Sequence, residues 1–301
     1  MICYYCHKSV NNNPKHGLHE ECFKNWFQLR DPNTNLVSLA LKKENSYYEN
    51  SNSITSSFFA GAFKKYSAFL EGKEYILKVA TPEFPELPHT EFLSNQFAHI
   101  LNISIPQFYL IKLENEVDCF VSYNFMQEYQ KANLVHIFHY FPENFTEEDY
   151  CCNNLVKIIE TQTKQYNDVI NFIKICIFDA LIGNHDRHGR NLAFIETAHK
   201  VSLSPMYDNP SYLGLEENSL LGAMHEPYGK IIANNNDTPT MRDYILEFKK
   251  LGFTEELKEF YKSINLTRMN AHISNSFISQ KRQEALKKLI NRRYQEGLDV
   301  L

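Results

Sequence analysis

No run of apolar residues in this chain comes near the roughly 20 that a membrane-spanning helix needs, so a helical span is not expected. No basic segment followed by an apolar stretch opens the sequence, and a classical secretory signal is not expected either; export by a signal elsewhere in the chain stays open. Basic residues are not in excess, with 31 Lys and Arg against 36 Asp and Glu and a net charge of −5. A protein built to grip a phosphate backbone would show a basic surplus or stripe, so direct nucleic-acid binding is not expected. The pairs Lys281-Arg282, Lys287-Lys288 and Arg292-Arg293 lie in a helical C-terminal segment with interleaved acids and read as a solvated helix face. The seven cysteines are odd in number and scattered, with Cys119 and Cys176 in apolar runs and Cys151-Cys152 adjacent. That pattern argues against a disulfide framework and for a reducing, cytoplasmic setting. Internal repeats are lacking, and low complexity is confined to Asn234-Asn235-Asn236.

What is present is an ordinary globular composition, 43% hydrophobic and 22% charged. A chain of 301 residues can bury a large core and suits one two-lobed domain or two ordinary ones. The densest polar chemistry lies between Phe178 and Asp208, FDALIGNHDRHGRNLAFIETAHKVSLSPMYD. An apolar helical run, Val169 to Ile182, breaks at Gly183-Asn184; a loop carrying Asp186, Arg187, His188 and Asn191 follows. Two short β-rich runs, Leu192 to Ile195 and Val201 to Leu203, then lead to Asp208. Asp and Asn are common in turns because they bond their own backbone, so D-x4-N alone could be turn chemistry. Yet every residue from Gly183 to Asn191 is Gly, Asn, His, Asp or Arg, where a short turn would suffice. Phosphoryl transfer needs one Asp to accept the proton of the attacking hydroxyl, and an Asn and a second Asp to hold magnesium. Asp186, Asn191 and Asp208 have the spacing and local context for those roles.

The stretch LIGNHDRHGRN followed by PMYD resembles the active-site signature of the HipA-like serine/threonine kinases, the toxin kinases of bacterial toxin–antitoxin modules. The resemblance extends more loosely from about Ser53 to the C-terminus. It implies an α+β, bilobal, protein-kinase-like fold with a small β-rich N-lobe over residues 31–126 and a larger helical C-lobe over 127–301. It implies Asp186 as catalytic base, Asn191 and Asp208 as magnesium ligands, and ATP as phosphate donor. It further implies autophosphorylation near the phosphate loop, an antitoxin partner, and a cytosolic protein substrate such as an aminoacyl-tRNA synthetase. A small-molecule or lipid kinase would use the same acids, and a zinc-bearing, nucleotide-binding pseudokinase is a rival of another class. The intact trio counts against the latter.

Upstream residues can be set against that expectation. Ser67–Leu70 and Tyr75–Val79, joined by Glu71-Gly72-Lys73, read as a β-hairpin. Before it, Ala60-Gly61-Ala62 with Lys64 and Lys65 sits where a kinase keeps its phosphate-covering loop, although it is not a G-x-G-x-x-G motif and a plain turn is the bland reading. Phe63 stands where the family carries Gln. Ser53, Thr55, Ser56 and Ser57 are the candidate autophosphorylation positions, and the sequence does not choose among them. Lys78, at the end of an apolar strand, is the candidate phosphate-holding lysine, with snorkelling off a strand edge as its alternative. Glu91, placed in the first turn of the next helix, can either answer the helix dipole or hold Lys78. Strands Gln107–Leu113 and Asp118–Met126 follow, with an adenine-binding hinge, Ser122, Tyr123 and Phe125 among its residues. His136 and His139 lack the zincin spacing and read as a partly exposed helix face. Helices at Val156–Gln162, Tyr244–Leu251, Thr254–Ile264 and Ser276–Tyr294 complete the C-lobe.

Residues 1–30 stand apart as a short Cys/His element. Cys3-x2-Cys6 and His19-x2-Cys22, separated by an Asn- and Pro-rich turn, offer four ligands for a tetrahedral zinc. Cysteine is also a small buried hydrophobe, and His7 and His16 compete as ligands, so both readings stand. Many compact HipA-like proteins begin with a similar element. A helix Glu21–Leu29 carrying Phe23, Trp26 and Phe27 packs this piece on the body.

Overall fold

The computed structural model describes residues 1–10, 14–31, 34, 36, 65–113, 116–211 and 227–301. They form an α+β protein of two compact units, the first Met1–Phe92 with Pro106–Gln130 and the second Leu93–Ile105 with Lys131–Leu301.

The first unit is a four-stranded antiparallel sheet with a helical N-terminal element. Helix α1 (Glu20–Phe27) has Glu20 and Glu21 at its positive end and stops at Gln28 in the left-handed conformation. Strands β1 (Lys65–Leu70) and β2 (Lys73–Val79) pair from Lys65↔Lys78 to Leu70↔Lys73. Their loop is only Glu71-Gly72, both at positive φ (48° and 79°), the backbone that a tight hairpin requires. Strands β3 (Phe108–Lys112) and β4 (Asp118–Tyr123) complete the order β1-β2-β4-β3. β4 ends at Tyr123 and not Met126, because the Asn124 side chain accepts a hydrogen bond from the Met126 N–H (3.1 Å) and turns the chain into a short 3-10 helix, Phe125–Glu128. Phe27 stacks on Tyr109 (4.0 Å between centroids), which joins α1 to the sheet.

The boundary between the units falls within α2 (Leu87–Ile100). That helix starts a turn earlier than its apolar spacing suggests, so Glu91 lies beyond the first turn and the helix dipole does not explain it. The second unit has a small sheet of β5 (Asn133–His136), β6 (Ala193–Glu196) and β7 (Val201–Leu203) in that order. The histidine pair is not on a helix face: His136 ends β5 opposite Ala193, and His139 lies in the 3-10 turn Ile137–Tyr140. Helices α3 (Cys152–Thr163), α4 (Tyr166–Ile182), α5 (Met241–Lys250), α6 (Thr254–Ser263), α7 (Leu266–Ser274) and α8 (Gln280–Leu298) supply the core, with Phe172, Phe178, Phe248 and Ile290 fully buried. The segment before α8 holds α7, started by the Asn265 side chain accepting from Arg268 N–H (2.9 Å). The basic pairs of α8 are not all solvated. Arg282 and Arg293 are buried, and Arg293 donates to Pro227 O (3.0 Å) and Glu296 (3.2 Å). Among the described residues no helix is long and apolar enough to cross a membrane, and the seven cysteines are free.

Candidate active site

Helix α4 is apolar on nearly every side; of its two buried acids, Asp168 lies in the first turn and accepts the Leu203 N–H (3.1 Å), while Asp179 lies deep in the second half. A buried carboxylate needs a partner. It finds one in Arg187, whose Nε and Nη2 donate to the two Asp179 oxygens at 2.8 and 3.0 Å. Burial alone would weaken the guanidinium's hold on its proton, but the Asp179 charge outweighs that and raises its pKa. The helix ends at Gly183 (φ 71°), a left-handed position that favours glycine. Asn184 then folds back, giving its side-chain amide to Asp179 (2.9 Å) and accepting the Asp186 N–H (3.1 Å).

The remaining Arg187 donors reach the rest of the loop. Nη1 binds the carbonyls of Asn191 (3.0 Å) and Tyr207 (2.8 Å), and Nη2 binds Asn209 Oδ1 (2.8 Å). One buried side chain thus pins Asn191 and the two neighbours of Asp208. The Asn191 side-chain amide donates to Asp186 O (2.9 Å), closing the loop on itself. Asp208 sits at φ 57°, an uncommon left-handed backbone for a residue with a Cβ, held by its anchored neighbours. The Asp186 side chain stays 41% exposed, open to a reactant, with His188 Nε2 at 3.7 Å from its carboxylate. Nearby, burial first, then the charges of His139, Arg190 and His188, lower His136 to about 4. The sequence reading did not single out Arg187, Asp179, Asn184 or Asn209 for a role; the signal was the lone acid in the apolar run IKICIFDALI.

The first unit holds a second constellation. Lys78 Nζ lies 2.6 and 2.7 Å from the two Glu91 oxygens, both residues buried. Lys65 is part of β1 rather than of a loop, is buried, and lies directly across from Lys78. Two cations facing each other on one ladder are unfavourable without anions; Glu91 supplies one. Ser122 and Tyr123 end β4, and Phe125 is buried in the turn that Asn124 starts, with the Asn124 amide on Glu74 (2.9 Å). Ala60, Gly61, Ala62 and Lys64 lie outside the described residues, as do Ser53, Thr55, Ser56 and Ser57.

Cys3, Cys6, His19 and Cys22 come together with their ligand atoms all within 4.8 Å of one another. Cys6 and Cys22 sulfurs lie 3.5 and 3.6 Å from His19 Nδ1, near the roughly 3.3–3.8 Å ligand separations of tetrahedral zinc. His19 Nε2 is 3.0 Å from Ser9 O, a contact that puts the ring proton on Nε2 and turns the Nδ1 lone pair to the sulfurs. Burial and the neighbouring Cys6 and Cys3 push the Cys22 thiol up to about 12, whereas at Cys3 burial is outweighed by backbone N–H groups and His19, which lower it to about 7. The donor set fits zinc.

The proinflammatory kinase CtkA of Helicobacter pylori superposes with a TM-score of 0.64 over 78% of this chain and 92% of that one, at 17% identity. HipA of Shewanella oneidensis MR-1, in a toxin–antitoxin complex with HipB and operator DNA, gives 0.59 over 94% of this chain and 71% of that one, at 13% identity. At such identities the likeness establishes the fold, which is kinase-like. Y4dM of Sinorhizobium fredii, whose name marks it as a candidate kinase, is 26% identical over 180 residues, half of this chain. The matched stretch spans 43% of that relative's own length. The HipA-like C-terminal domain family matches residues 57–290, and the chain belongs to it.

Proposed function

We propose that this protein is an ATP- and magnesium-dependent protein serine/threonine kinase. Asp186 accepts the proton of the acceptor hydroxyl, Asn191 and Asp208 hold magnesium, and Lys78, kept in place by Glu91, holds nucleotide phosphates. Ser122, Tyr123 and Phe125 face the adenine, and residues 60–65 contribute to the phosphate site. The observation that carries the reading is the Arg187 anchor. Its guanidinium fixes the Asn191 and Tyr207 carbonyls at 3.0 and 2.8 Å while leaving the Asp186 carboxylate exposed. Positioning of this kind is most of what phosphoryl transfer asks of a protein. When bound, magnesium would neutralise charge developing on the transferred group.

The family and the HipA likeness support finer proposals. The chain acts as a toxin kinase on a cytosolic protein, pairs with an antitoxin protein, and phosphorylates itself among Ser53, Thr55, Ser56 and Ser57. A phosphate there carries roughly −1.5 to −2 charge and would compete with nucleotide for the local lysines, switching the kinase off. Incubation of the purified protein with γ-labelled ATP and magnesium tests the reading. Label is expected on the protein itself or on an added protein acceptor, and lost in Asp208→Ala. Normal label transfer by Asp208→Ala would remove Asp208 from the metal site.

A further inference from the structure

The Cys/His element is not a separate appendage. Within the first unit it covers the open edge of the sheet: Lys112 N–H, on edge strand β3, donates to His16 O (2.9 Å), and His16 Nδ1 lies 3.1 Å from Lys112 O. Covering an edge in this way blocks stray strand pairing. The more informative link starts at Tyr4, buried beside the ligand Cys3. Its hydroxyl donates to the Asp118 carboxylate. The same carboxylate lies 3.3 Å from His89 Nε2 and 3.0 Å from Lys112 Nζ. Burial works against ionisation of Asp118, but the proximity of His89, the Tyr4 hydrogen bond and the Lys112 ammonium outweigh it and hold the carboxyl well below the usual range.

Asp118 touches both elements that carry the Lys78–Glu91 pair. Its side chain meets His89 on α2, two residues before Glu91. Its carbonyl accepts the Ala80 N–H (2.9 Å), two residues after Lys78 at the end of β2. The position of this one acid therefore bears on where the ammonium and its carboxylate meet, and Tyr4 holds the acid from the metal-ligand turn. Tyr4 lies in the turn between Cys3 and Cys6, so a metal bound to both sulfurs would fix the turn from which its hydroxyl reaches Asp118.

We propose that Cys3, Cys6, His19 and Cys22 form a zinc site that braces the Lys78–Glu91 pair through Tyr4, Asp118 and His89. Loss of the metal frees the Cys3–Cys6 turn, Tyr4 leaves Asp118, and the ends of β2 and α2 loosen. The brace stands on contacts within the first unit; its consequence for nucleotide affinity rests on the kinase reading.

The test uses the full chain purified without added chelator. Metal analysis should find about one zinc per chain, and cobalt exchanged into the stripped protein should give thiolate-to-metal absorption bands. Hydrogen exchange is then followed at residues 78–80 and 89–91 in loaded protein, in protein stripped with a strong chelator, and after zinc is restored. Exchange there should rise at least tenfold on stripping and return on reloading. Tyr4→Phe keeps the ligands, so it should retain zinc yet show raised exchange at the same amides. ATP affinity, read by calorimetry, should fall several-fold in both perturbed forms. Absence of zinc from the purified protein together with failure to take up zinc or cobalt would overturn the site. Unchanged exchange after complete metal removal would overturn the brace, and a zinc-loaded Tyr4→Phe with wild-type exchange would overturn its route. Metal-dependent exchange in a protein that binds no ATP at all would leave the brace standing and count against the kinase reading instead.

Discussion

Arg187→Met is the perturbation that presses hardest on the architecture of the Gly183–Asn191 loop. The change roughly preserves side-chain volume, so its effect is not that of a cavity. It leaves the Asp179 carboxylate buried without its cation and removes the donors that hold Asn191 O, Tyr207 O and Asn209. Breaking a buried ion pair from one side costs about 3–5 kcal/mol. For a unit of about 150–250 residues each kcal/mol shifts Tm by roughly 2–4 °C, so a fall of ~6–20 °C is expected. Arg187→Lys keeps the charge but cannot fork to both Asp179 oxygens and two carbonyls, and should fall between Met and wild type. In the double variant Arg187→Met/Asp179→Leu no buried charge is stranded, so most of the stability should return. Phosphoryl transfer should not return, because the Asn191 and Tyr207 carbonyls remain unheld. Differential scanning calorimetry and a single-turnover transfer assay read the two effects separately. An Arg187→Met protein melting within about 1 °C of wild type would refute the anchor, and a fully active double variant would refute its part in positioning.

Three further outcomes follow from the geometry. Glu91→Gln strips Lys78 of its bidentate carboxylate and should weaken Mg·ATP binding by calorimetry, while Lys78→Met/Glu91→Leu should recover stability without recovering binding; equal affinity in all three proteins would contradict the role given to the pair. His136, lowered to about 4 by burial and by His139, Arg190 and His188, should titrate near that pH by NMR. Since the unfolded imidazole takes its proton near 6.5 and the folded one only near 4, this group's contribution to stability is fully present above about 6.5 and declines as pH falls towards 4; a His136→Phe protein with an unchanged pH–stability curve over that window would contradict it. Gly183→Ala places a Cβ at φ 71° and should destabilise the protein by about 1–2 kcal/mol in denaturant titration, with a neutral result arguing that the turn relaxes.

Much of the fold was readable where local chemistry and packing agree. The break of α4 at Gly183 and the hairpin around Glu71-Gly72 are examples, as strong apolar periodicity meets turn residues there. The convergence of Cys3, Cys6, His19 and Cys22 was readable too, since spacing on tight turns fixes which side chains can meet. Strand β5 was not, because Asn133–His136 has too few residues to show a period and exists through its pairing with β6. The true start of α2 was hidden by Pro88, which sits comfortably in a first helical turn but reads as a breaker. Arg282 and Arg293 looked solvated because charge in a helix usually is; their burial depends on partners, such as Pro227 for Arg293, far away in sequence. The Arg187 anchor and the Asp118 junction are likewise long-range. Arg187 reaches Tyr207 and Asn209, 20 and 22 residues on, and Tyr4 lies 114 residues from Asp118, so no short motif could display these contacts.

The most direct test of the central claim is the rate of γ-phosphate transfer from Mg·ATP under single-turnover conditions, compared between the wild type and Asp186→Asn. The substitution keeps the shape of the loop and, with Asn191 and Asp208 intact, should leave nucleotide affinity close to wild type. The account predicts measurable transfer by the wild type and a loss of ~10²–10⁴-fold in the variant, the range a positioned general base contributes. Wild-type transfer rates in Asp186→Asn, or no transfer by a wild type that binds Mg·ATP, would contradict it.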